Sequence, residues 1–249
     1  MNFSEIDRVV ADTIKDSKDR RELWVNLIRK LDCRRLCEVG VWKGELTQYL
    51  LSYVPEIEKY TLIDPWRNLP NWNKPANKSD IEFDQIFDEA MGRVSPYENK
   101  IKVVRGTTKR ASESIDDRSL DLVYIDGDHT LRGITIDLQS MLPKVKQGGF
   151  IGGDDFTKTI WQHGVKFSPT EVFPYAVYFA EAHNLRIYCL PFNQFLILNV
   201  ADAFHVVDHA GYAHRTPTQI YLPPIYQKVL FFTLLPKLLI SYLKKIFRR

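Results

Sequence analysis

The sequence predicts an α/β fold with a mainly parallel sheet and helices on both faces of that sheet. Short apolar runs bounded by turn signals recur along the chain, and segments with helical spacing of apolar residues separate most of them. Such alternation is typical of right-handed crossovers between parallel strands. The 249 residues, 45% of them apolar, are enough to form one full hydrophobic core.

The elements follow one another in a regular order. Helical spacing of apolar residues up to about residue 30 predicts one or two N-terminal helices. The last two apolar runs are joined by residues 191–193, which are too few for a crossover helix, so we expect an antiparallel hairpin at the sheet edge. In total the runs predict a Rossmann-like sheet of seven strands, at residues 34–39, 60–63, 101–104, 120–125, 150–151, 186–190 and 195–198.

Charge is unevenly distributed along the chain. The formal net charge is +3, yet residues 225–249 carry six Lys or Arg and no acidic residue, which leaves a slightly acidic body. Nucleic-acid binding needs basic residues spread over a face or groove, so we expect no nucleic-acid partner. Three cysteines without a disulfide framework and an N-terminus without an apolar signal stretch predict a cytoplasmic protein.

The C-terminal segment 225–249 is apolar but interrupted by Pro236 and several lysines, so it is unsuited to crossing a bilayer. From Pro236 onward, apolar and basic residues lie on opposite faces of a predicted amphipathic helix. Such a helix suits an anionic lipid surface, which would make the protein peripheral to the inner face of the membrane. Alternatively, the apolar face docks on the body or on a second subunit, as in a homo-oligomer. The sequence leaves both alternatives open.

Acidic residues cluster after two neighbouring strands. Asp126, Asp128 and His129 follow the fourth apolar run, and Asp154 and Asp155 follow the fifth. Because α/β proteins place their chemistry at the edge where parallel strands end, these side chains should meet there. Close carboxylates repel one another unless a cation lies among them, and Mg²⁺ is the usual ion. The alternative is that Asp154 or Asp155 caps a following helix.

A turn containing two glycines follows the first strand. Gly40 and Gly44 let the backbone turn sharply near a ligand, and Asp64 at the end of the second strand can accept hydrogen bonds from ribose hydroxyls. Trp42 stands where a dinucleotide fingerprint needs its middle glycine, and Glu38 would repel a pyrophosphate. The combination favours a nucleoside that carries an amino group and no phosphate.

These residues resemble the class I S-adenosylmethionine-dependent methyltransferases. The resemblance implies that Glu38, Gly40, Gly44 and Asp64 bind S-adenosylmethionine. Residues 126–155 resemble in particular the metal-dependent sugar O-methyltransferases of the macrocin and mycinamicin type. We therefore expect a sugar or glycan as the acceptor.

The sugar O-methyltransferase resemblance implies a Mg²⁺ ion held by Asp126, Asp154 and Asp155. It also implies that His129 is the base that removes the proton of the acceptor hydroxyl; the alternative is that His129 orients Asp126 or packs beneath the next helix. We expect Asp126 to contact the cofactor as well. Asp128 is expected to support its neighbours rather than to bind the metal itself.

Two further regions are expected near the cofactor and the acceptor. Gly106 and Thr107 end the third strand, where they either hydrogen-bond an adenine ring or simply turn the chain. Segments 65–74 and 156–175 are rich in aromatic residues, which stack on the apolar faces of sugars or cover a cofactor. We expect these two segments to form a lid over the acceptor.

The sequence therefore predicts an S-adenosylmethionine-dependent O-methyltransferase, assisted by Mg²⁺, that acts on a hydroxyl of a sugar or glycan. Its expected parts are an N-terminal helical segment (1–30), a methyltransferase domain (31–200), a linker (201–224) and a basic amphipathic C-terminal helix (225–249). Two alternatives stay open: metal-independent methylation of another small molecule, and a non-catalytic protein that tethers partners at a membrane surface.

Overall fold

The structure is a computed structural model in which residues 1–229 are described. The C-terminal helix predicted at 225–249 therefore lies outside the described residues, apart from its first five. None of the helices in the described part has both the length and the apolar character needed to cross a membrane.

Helices cover both faces of a central sheet. Several begin at polar residues, because the side chains of Asn2, Asp19, Ser79 and Thr130 accept hydrogen bonds from backbone N–H groups of the first turn. The described α-helices are α1 (Phe3–Lys15), α2 (Arg20–Lys30), α3 (Glu45–Tyr53), α4 (Asp80–Val94), α5 (Thr108–Ser112), α6 (Leu131–Met141), α7 (Val172–Ala182) and α8 (Pro217–Tyr221), with 3-10 turns at Ser95–Lys100 and Leu142–Lys144.

A single sheet forms the centre of the molecule. Its strands are β1 (Arg35–Val39), β2 (Lys59–Asp64), β3 (Ile101–Arg105), β4 (Leu120–Ile125), β5 (Val145–Gly153), β6 (Arg186–Leu190), β7 (Gln194–Leu198) and β8 (His205–Asp208). Their order across the sheet is β3-β2-β1-β4-β5-β7-β6-β8. Strands β1 to β5 run parallel, whereas β7 is antiparallel to both β5 and β6.

The structure confirms the α/β fold with a mainly parallel sheet and corrects the number of strands from seven to eight. The additional strand, β8, lies within the predicted linker 201–224 and pairs in parallel with β6. The predicted hairpin of β6 and β7 is present, but β8 forms the sheet edge beyond it. Because β8 has only four residues, it is too short to show a recognisable apolar alternation.

Both faces of the sheet are buried. Along β4, Leu122 and Tyr124 pack with α1 to α4 on one face, while Val123 and Ile125 pack with α5 to α7 on the other. All six residues of β4 are buried, as expected for a parallel strand covered on both sides. The carboxyl ends of the central strands are therefore fixed at one edge of a packed core.

Helix α2 lies directly on the carboxyl ends of β4 and β5. The Trp24 ring meets the Tyr124 ring edge-on, with centroids 4.9 Å apart. A Cβ atom at Gly152 would lie only 2.1 Å from Cη2 of Trp24, so the tryptophan packs against bare backbone. This packing fixes the start of α2 beside the acidic strand ends.

We expect Gly152→Ala to lower the free energy of unfolding by about 1–3 kcal/mol, because the added methyl group overpacks the Trp24 contact. Gly92→Ala is the matched control, since its Cβ position in α4 has no described atom within 4 Å apart from its two chain neighbours and the backbone of α4. That change should add about 0.5–1 kcal/mol through helix propensity. Urea denaturation of both variants checks the pair, and equal midpoints would contradict the described packing.

Candidate active site

The turn after β1 passes close to the end of β4. Gly40 has φ +87°, and a Cβ atom there would lie 2.0 Å from the backbone oxygen of Asp126. A side chain does not fit such an approach, so this position requires glycine. Gly44, with φ +72°, ends the turn and directly precedes α3. The glycine turn is thus held against the acidic end of β4.

Trp42 adopts the left-handed conformation that glycine favours, with φ +54°. Two hydrogen bonds hold it there: its N–H donates to Asp64 Oδ2 at 2.9 Å, and its carbonyl oxygen accepts from Trp66 Nε1 at 2.8 Å. Its ring packs edge-on against Phe83, with centroids 5.9 Å apart. Tertiary contacts therefore hold the turn in shape at the position where the dinucleotide fingerprint has its middle glycine.

Asp64 closes the glycine turn from the end of β2. Its carboxylate accepts hydrogen bonds from the N–H groups of Val41 at 3.0 Å, Trp42 at 2.9 Å and Trp66 at 2.7 Å. Burial raises the pKa of Asp64, and these three backbone hydrogen bonds offset that effect only in part. A carboxylate has about four acceptor positions, so one remains for a ribose hydroxyl.

Glu38 is buried between β1 and α3. Its Oε2 atom accepts hydrogen bonds from Thr47 Oγ1 at 2.7 Å and from the Tyr60 hydroxyl at 2.9 Å. Burial raises the pKa of Glu38 to about 8, although those two hydrogen bonds act in the opposite direction. A cationic ligand beside Glu38 would stabilise its ionised form. The roles of Glu38 and Asp64 in cofactor binding stay predictions.

Gly106 and Thr107 lie at the end of β3, beside Asp64. The N–H of Gly106 donates to the carbonyl oxygen of Asp64 at 3.0 Å. Thr107 is the N-cap residue of α5, yet its side chain makes no capping hydrogen bond within residues 1–229. These positions are next to the glycine turn, and their predicted contact with an adenine ring stays a prediction.

His129 lies at the centre of the acidic edge. Its Nδ1 atom lies 2.5 Å from Asp155 Oδ2, and its Nε2 atom lies 3.4 Å from Asp126 Oδ1. Asp155 also accepts a hydrogen bond from Gln162 Nε2 at 2.6 Å and has φ +56°. The structure thus gathers Asp126 and Asp155 around one imidazole.

Asp154 is held by two residues that the sequence analysis missed. Arg20 Nη1 forms a close ion pair with Asp154 Oδ2 and lies 3.9 Å from Asp126 Oδ2. On the opposite side, Gln194 Nε2 donates to Asp154 Oδ1 at 2.6 Å. Arg20 carries one sequence signal, a cation at the first position of a helix, where the helix dipole disfavours positive charge. Gln194 precedes an apolar run and carries no comparable signal.

The predicted ligands, as they are arranged, do not fit a metal ion. Within residues 1–229, no group of three or more His, Cys, Asp or Glu side chains is placed to hold one ion. Oxygens of Asp154 and Asp155 are instead paired with Arg20 and His129. The capping alternative is wrong, because the next α-helix described after Asp155 begins at Val172. Side chains of the protein itself neutralise these carboxylates.

Segments 65–74 and 156–175 contact each other beside the acidic edge. Lys74 Nζ, from the first segment, donates to the carbonyl oxygen of Pro169 and to the hydroxyl of Thr170, both at 3.0 Å. Burial lowers the pKa of Lys74, against the raising effect of nearby carboxylates. One buried ammonium group therefore joins the two segments.

The same segments are joined to the turn after β4. Asp128 Oδ1 accepts hydrogen bonds from Trp72 Nε1 and from the N–H of Thr130, both at 3.0 Å. The N–H of Glu171 donates to the carbonyl oxygen of His129 at 2.8 Å. Asp128 thus connects the first segment to the His129 turn, which is consistent with the supporting role expected for it.

Burial of the His129 imidazole disfavours its charged form. The contact of Nδ1 with Asp155 and the negative charges of Asp126 and Asp155 outweigh burial and raise the pKa of His129 to about 10. We rank Asp155 as the stronger partner, because the Nε2–Asp126 separation of 3.4 Å leaves Nε2 without a hydrogen-bond partner in the described chain. His129 is therefore an imidazolium at neutral pH in this arrangement.

We expect NMR titration to find His129 still protonated at pH 8, since its pKa is about 10. Asp155→Asn should lower that pKa, because it removes the carboxylate bound to Nδ1. His129→Gln assigns the resonance, and Asp88→Asn, on the exposed face of α4, is the control. Titration of His129 near pH 6.5 in the unchanged protein would contradict the described pairing.

Asp137 is a buried acid that the sequence analysis did not single out. It lies on α6, is 4% exposed, and its Oδ2 atom has no hydrogen-bond partner among residues 1–229. Burial raises the pKa of Asp137 to about 7, despite a hydrogen bond with Thr108. An aspartate in an unfolded chain has a pKa of about 4.

This difference predicts a loss of stability with rising pH. Between about pH 4 and 7, the unfolded chain releases the Asp137 proton while the folded chain retains it, so unfolding becomes more favourable. Asp137→Asn should remove this dependence on pH. The gain in thermal stability of Asp137→Asn over the unchanged protein should therefore be larger at pH 8 than at pH 5. Thermal denaturation at both pH values, with Asp88→Asn as control, checks this. A gain that is independent of pH would contradict the buried, ionisable state.

A family model of known proteins matches the part of the chain that contains the glycine turn and the acidic edge. Residues 37–156 match a family model described as a methyltransferase domain. This range begins just before Glu38 and extends one residue past Asp155. No curated protein matches the sequence significantly.

Solved structures of methyltransferases have a similar fold. A Staphylococcus aureus protein assigned as a caffeoyl-CoA O-methyltransferase is 16% identical with a TM-score of 0.56, over 78% of this chain and 92% of that chain. The Bacillus cereus O-methyltransferase in complex with S-adenosylhomocysteine is 12% identical with a TM-score of 0.54, over 80% and 92%. The Podospora anserina methyltransferase PaMTH1, also bound to S-adenosylhomocysteine, is 13% identical with a TM-score of 0.53, over 80% and 88%. Residues 37–156 of the chain therefore match a methyltransferase domain, and the solved methyltransferase structures share the fold of the chain.

Proposed function

We propose that the protein transfers a methyl group from S-adenosylmethionine to a hydroxyl of a sugar or glycan. The observation that carries the proposal is the contact of the glycine turn with the acidic edge. Gly40 lies so close to the backbone oxygen of Asp126 that a Cβ atom would be 2.0 Å from it. A cofactor held by the turn would therefore lie beside His129, three residues along the chain from Asp126.

The charges of the turn suit a cofactor without phosphates. Glu38 and Asp64 are both buried acids, and Lys43 within the turn pairs with Glu89 at 2.9 Å. Acidic groups attract the ammonium and sulfonium groups of S-adenosylmethionine and repel a pyrophosphate. This supports the cofactor implied by the sequence resemblance.

The chemistry needs an aligned hydroxyl and a means of removing its proton. A sulfonium methyl group is already activated, so alignment with the departing sulfur and deprotonation of the acceptor remain for the protein. His129 is the candidate base, because its Nε2 atom has no hydrogen-bond partner in the described chain. The imidazole has to lose its proton before it can act, so we expect kcat/KM to rise with pH towards about 10.

The sugar acceptor rests on the resemblance of residues 126–155, and O-methylation is supported by the names of the neighbours from S. aureus and B. cereus. Mg²⁺ assistance, the cytoplasmic location and contact of the C-terminal helix with a membrane or a second subunit stay predictions. No step proposed above depends on a metal. Metal-independent methylation is the second candidate, because Arg20 pairs with Asp154 at the expected metal position.

Calorimetric titration with S-adenosylmethionine tests the cofactor site. We expect binding with Kd on the order of micromolar (about −8 kcal/mol), lost in Asp64→Ala because that change removes the anchor of the glycine turn. Asp208→Ala is the matched control, since this strand-end aspartate also accepts hydrogen bonds from three loop N–H groups, at 3.0, 2.8 and 2.7 Å. Absence of binding by the unchanged protein would overturn the proposed function.

Methyl transfer to a panel of glycans and small-molecule hydroxyl compounds tests the reaction. We expect His129→Ala to lower kcat/KM by about 10²–10⁴-fold if His129 is the base. His183→Ala, exposed at the end of α7, should leave the rate unchanged. Repeating the assay with a chelator and then with added Mg²⁺ separates the metal-assisted reaction from the metal-independent one. An unchanged rate in His129→Ala would remove the base assignment while leaving the cofactor site intact.

A further inference from the structure

We propose that Arg20 is the resident cation of the acidic edge, and that a divalent metal ion enters this edge only by displacing the Arg20 side chain. Arg20 Nη1 is ion-paired with Asp154 Oδ2 and lies 3.9 Å from Asp126 Oδ2. One guanidinium group thus faces two of the three carboxylates that the sequence assigns to a metal. A hard cation prefers those same carboxylate oxygens.

The position of Arg20 follows from the packing of α2. Trp24, one helical turn after Arg20, is 1% exposed and packs on the bare backbone of Gly152. Residues at i and i+4 of a helix lie on the same face. The contact that buries Trp24 therefore also directs Arg20 towards the ends of β4 and β5.

A second route connects α2 with Asp154. Trp24 Nε1 donates to Gln194 Oε1 at 2.7 Å, and Gln194 Nε2 donates to Asp154 Oδ1 at 2.6 Å. The Tyr124 hydroxyl donates to the same Gln194 oxygen at 3.0 Å. One oxygen of Asp154 is thus held through Trp24 and the other by Arg20, so helix α2 forms part of the edge.

Arg21 provides an internal comparison. It follows Arg20 directly but points to the other side of α2. There its Nη2 atom lies 3.4 Å from Glu45 Oε2, and its Cζ atom lies 5.4 Å from the centroid of the Tyr49 ring. Both arginines lie in the first turn, where the helix dipole disfavours a cation. Only Arg20 reaches the acidic edge.

Mutual repulsion is the physical reason for competition. A divalent ion close enough to bind Asp126 and Asp154 would lie beside the guanidinium group that already faces them. Like charges at such short range repel, and the repulsion is larger where water is partly excluded. With Arg20 removed, the two carboxylates lack their counter-charge and should attract the ion.

Mn²⁺ titration of the purified protein, residues 1–249, followed by electron paramagnetic resonance, tests the proposal. The variants are Arg20→Gln, the matched control Arg21→Gln, and Arg20→Gln combined with Asp154→Asn. Arg20→Gln should bind Mn²⁺ at least ten-fold more tightly than the unchanged protein, Arg21→Gln should behave like the unchanged protein, and the double variant should lose the gain. Mg²⁺ should also raise the Tm of Arg20→Gln and leave that of the unchanged protein unaffected.

Equal Mn²⁺ affinity of Arg20→Gln and the unchanged protein would overturn the proposal, whether both bind the ion or neither does. Arg20→Lys provides a second test that retains the positive charge. Its affinity for Mn²⁺ should lie between that of the unchanged protein and that of Arg20→Gln. Circular dichroism confirms folding of each variant. Because the measurement concerns ion binding alone, its outcome is independent of whether the protein methylates a glycan.

Discussion

The approach of Gly40 to the backbone of Asp126 is the constraint on which the remaining geometry depends. It brings the turn after β1 into contact with the end of β4, so that two loops of different strands share one surface. Trp42 and Asp64 hold the other side of that turn through backbone hydrogen bonds. The proposed cofactor turn and the proposed base are therefore adjacent. This close approach is possible only because Gly40 has no side chain.

Buried acids give this surface its electrostatic character. Burial raises the pKa values of Glu38 and Asp137, whereas hydrogen bonds with His129 and Gln162 and the charge of His129 outweigh burial at Asp155 and lower its pKa to about 2. The difference depends on whether a cationic side chain is in contact with the carboxylate. Among these three acids, contact with a cationic side chain favours ionisation at Asp155, whereas hydroxyl donors alone do not offset burial at Glu38 and Asp137.

The sequence predicted the features that depend on local patterns. Alternating strands and helices, the two glycines and the acidic strand ends were all legible in the chain, because each arises from neighbouring residues. Arg20 and Gln194 were not, because each depends on contacts between residues far apart in sequence: Trp24 and Gln194 are 170 positions apart. Strand β8 was missed because four residues are too few for a recognisable alternation. The expected metal arrangement also differs from the structure for this reason, since its counter-charge comes from a helix that precedes the first strand.

The position of α2 also bears on where the functional unit begins and ends. The recognisable methyltransferase region covers residues 37–156, yet Asp154 within it is held by Arg20 and Gln194, which lie on either side of that region. A fragment cut at the recognisable limits would lose Trp24 as well, and with it the cover over Gly152. Transplanting the acidic edge into another protein would therefore require α2 and the hairpin of β6 and β7 to be moved together with the central strands.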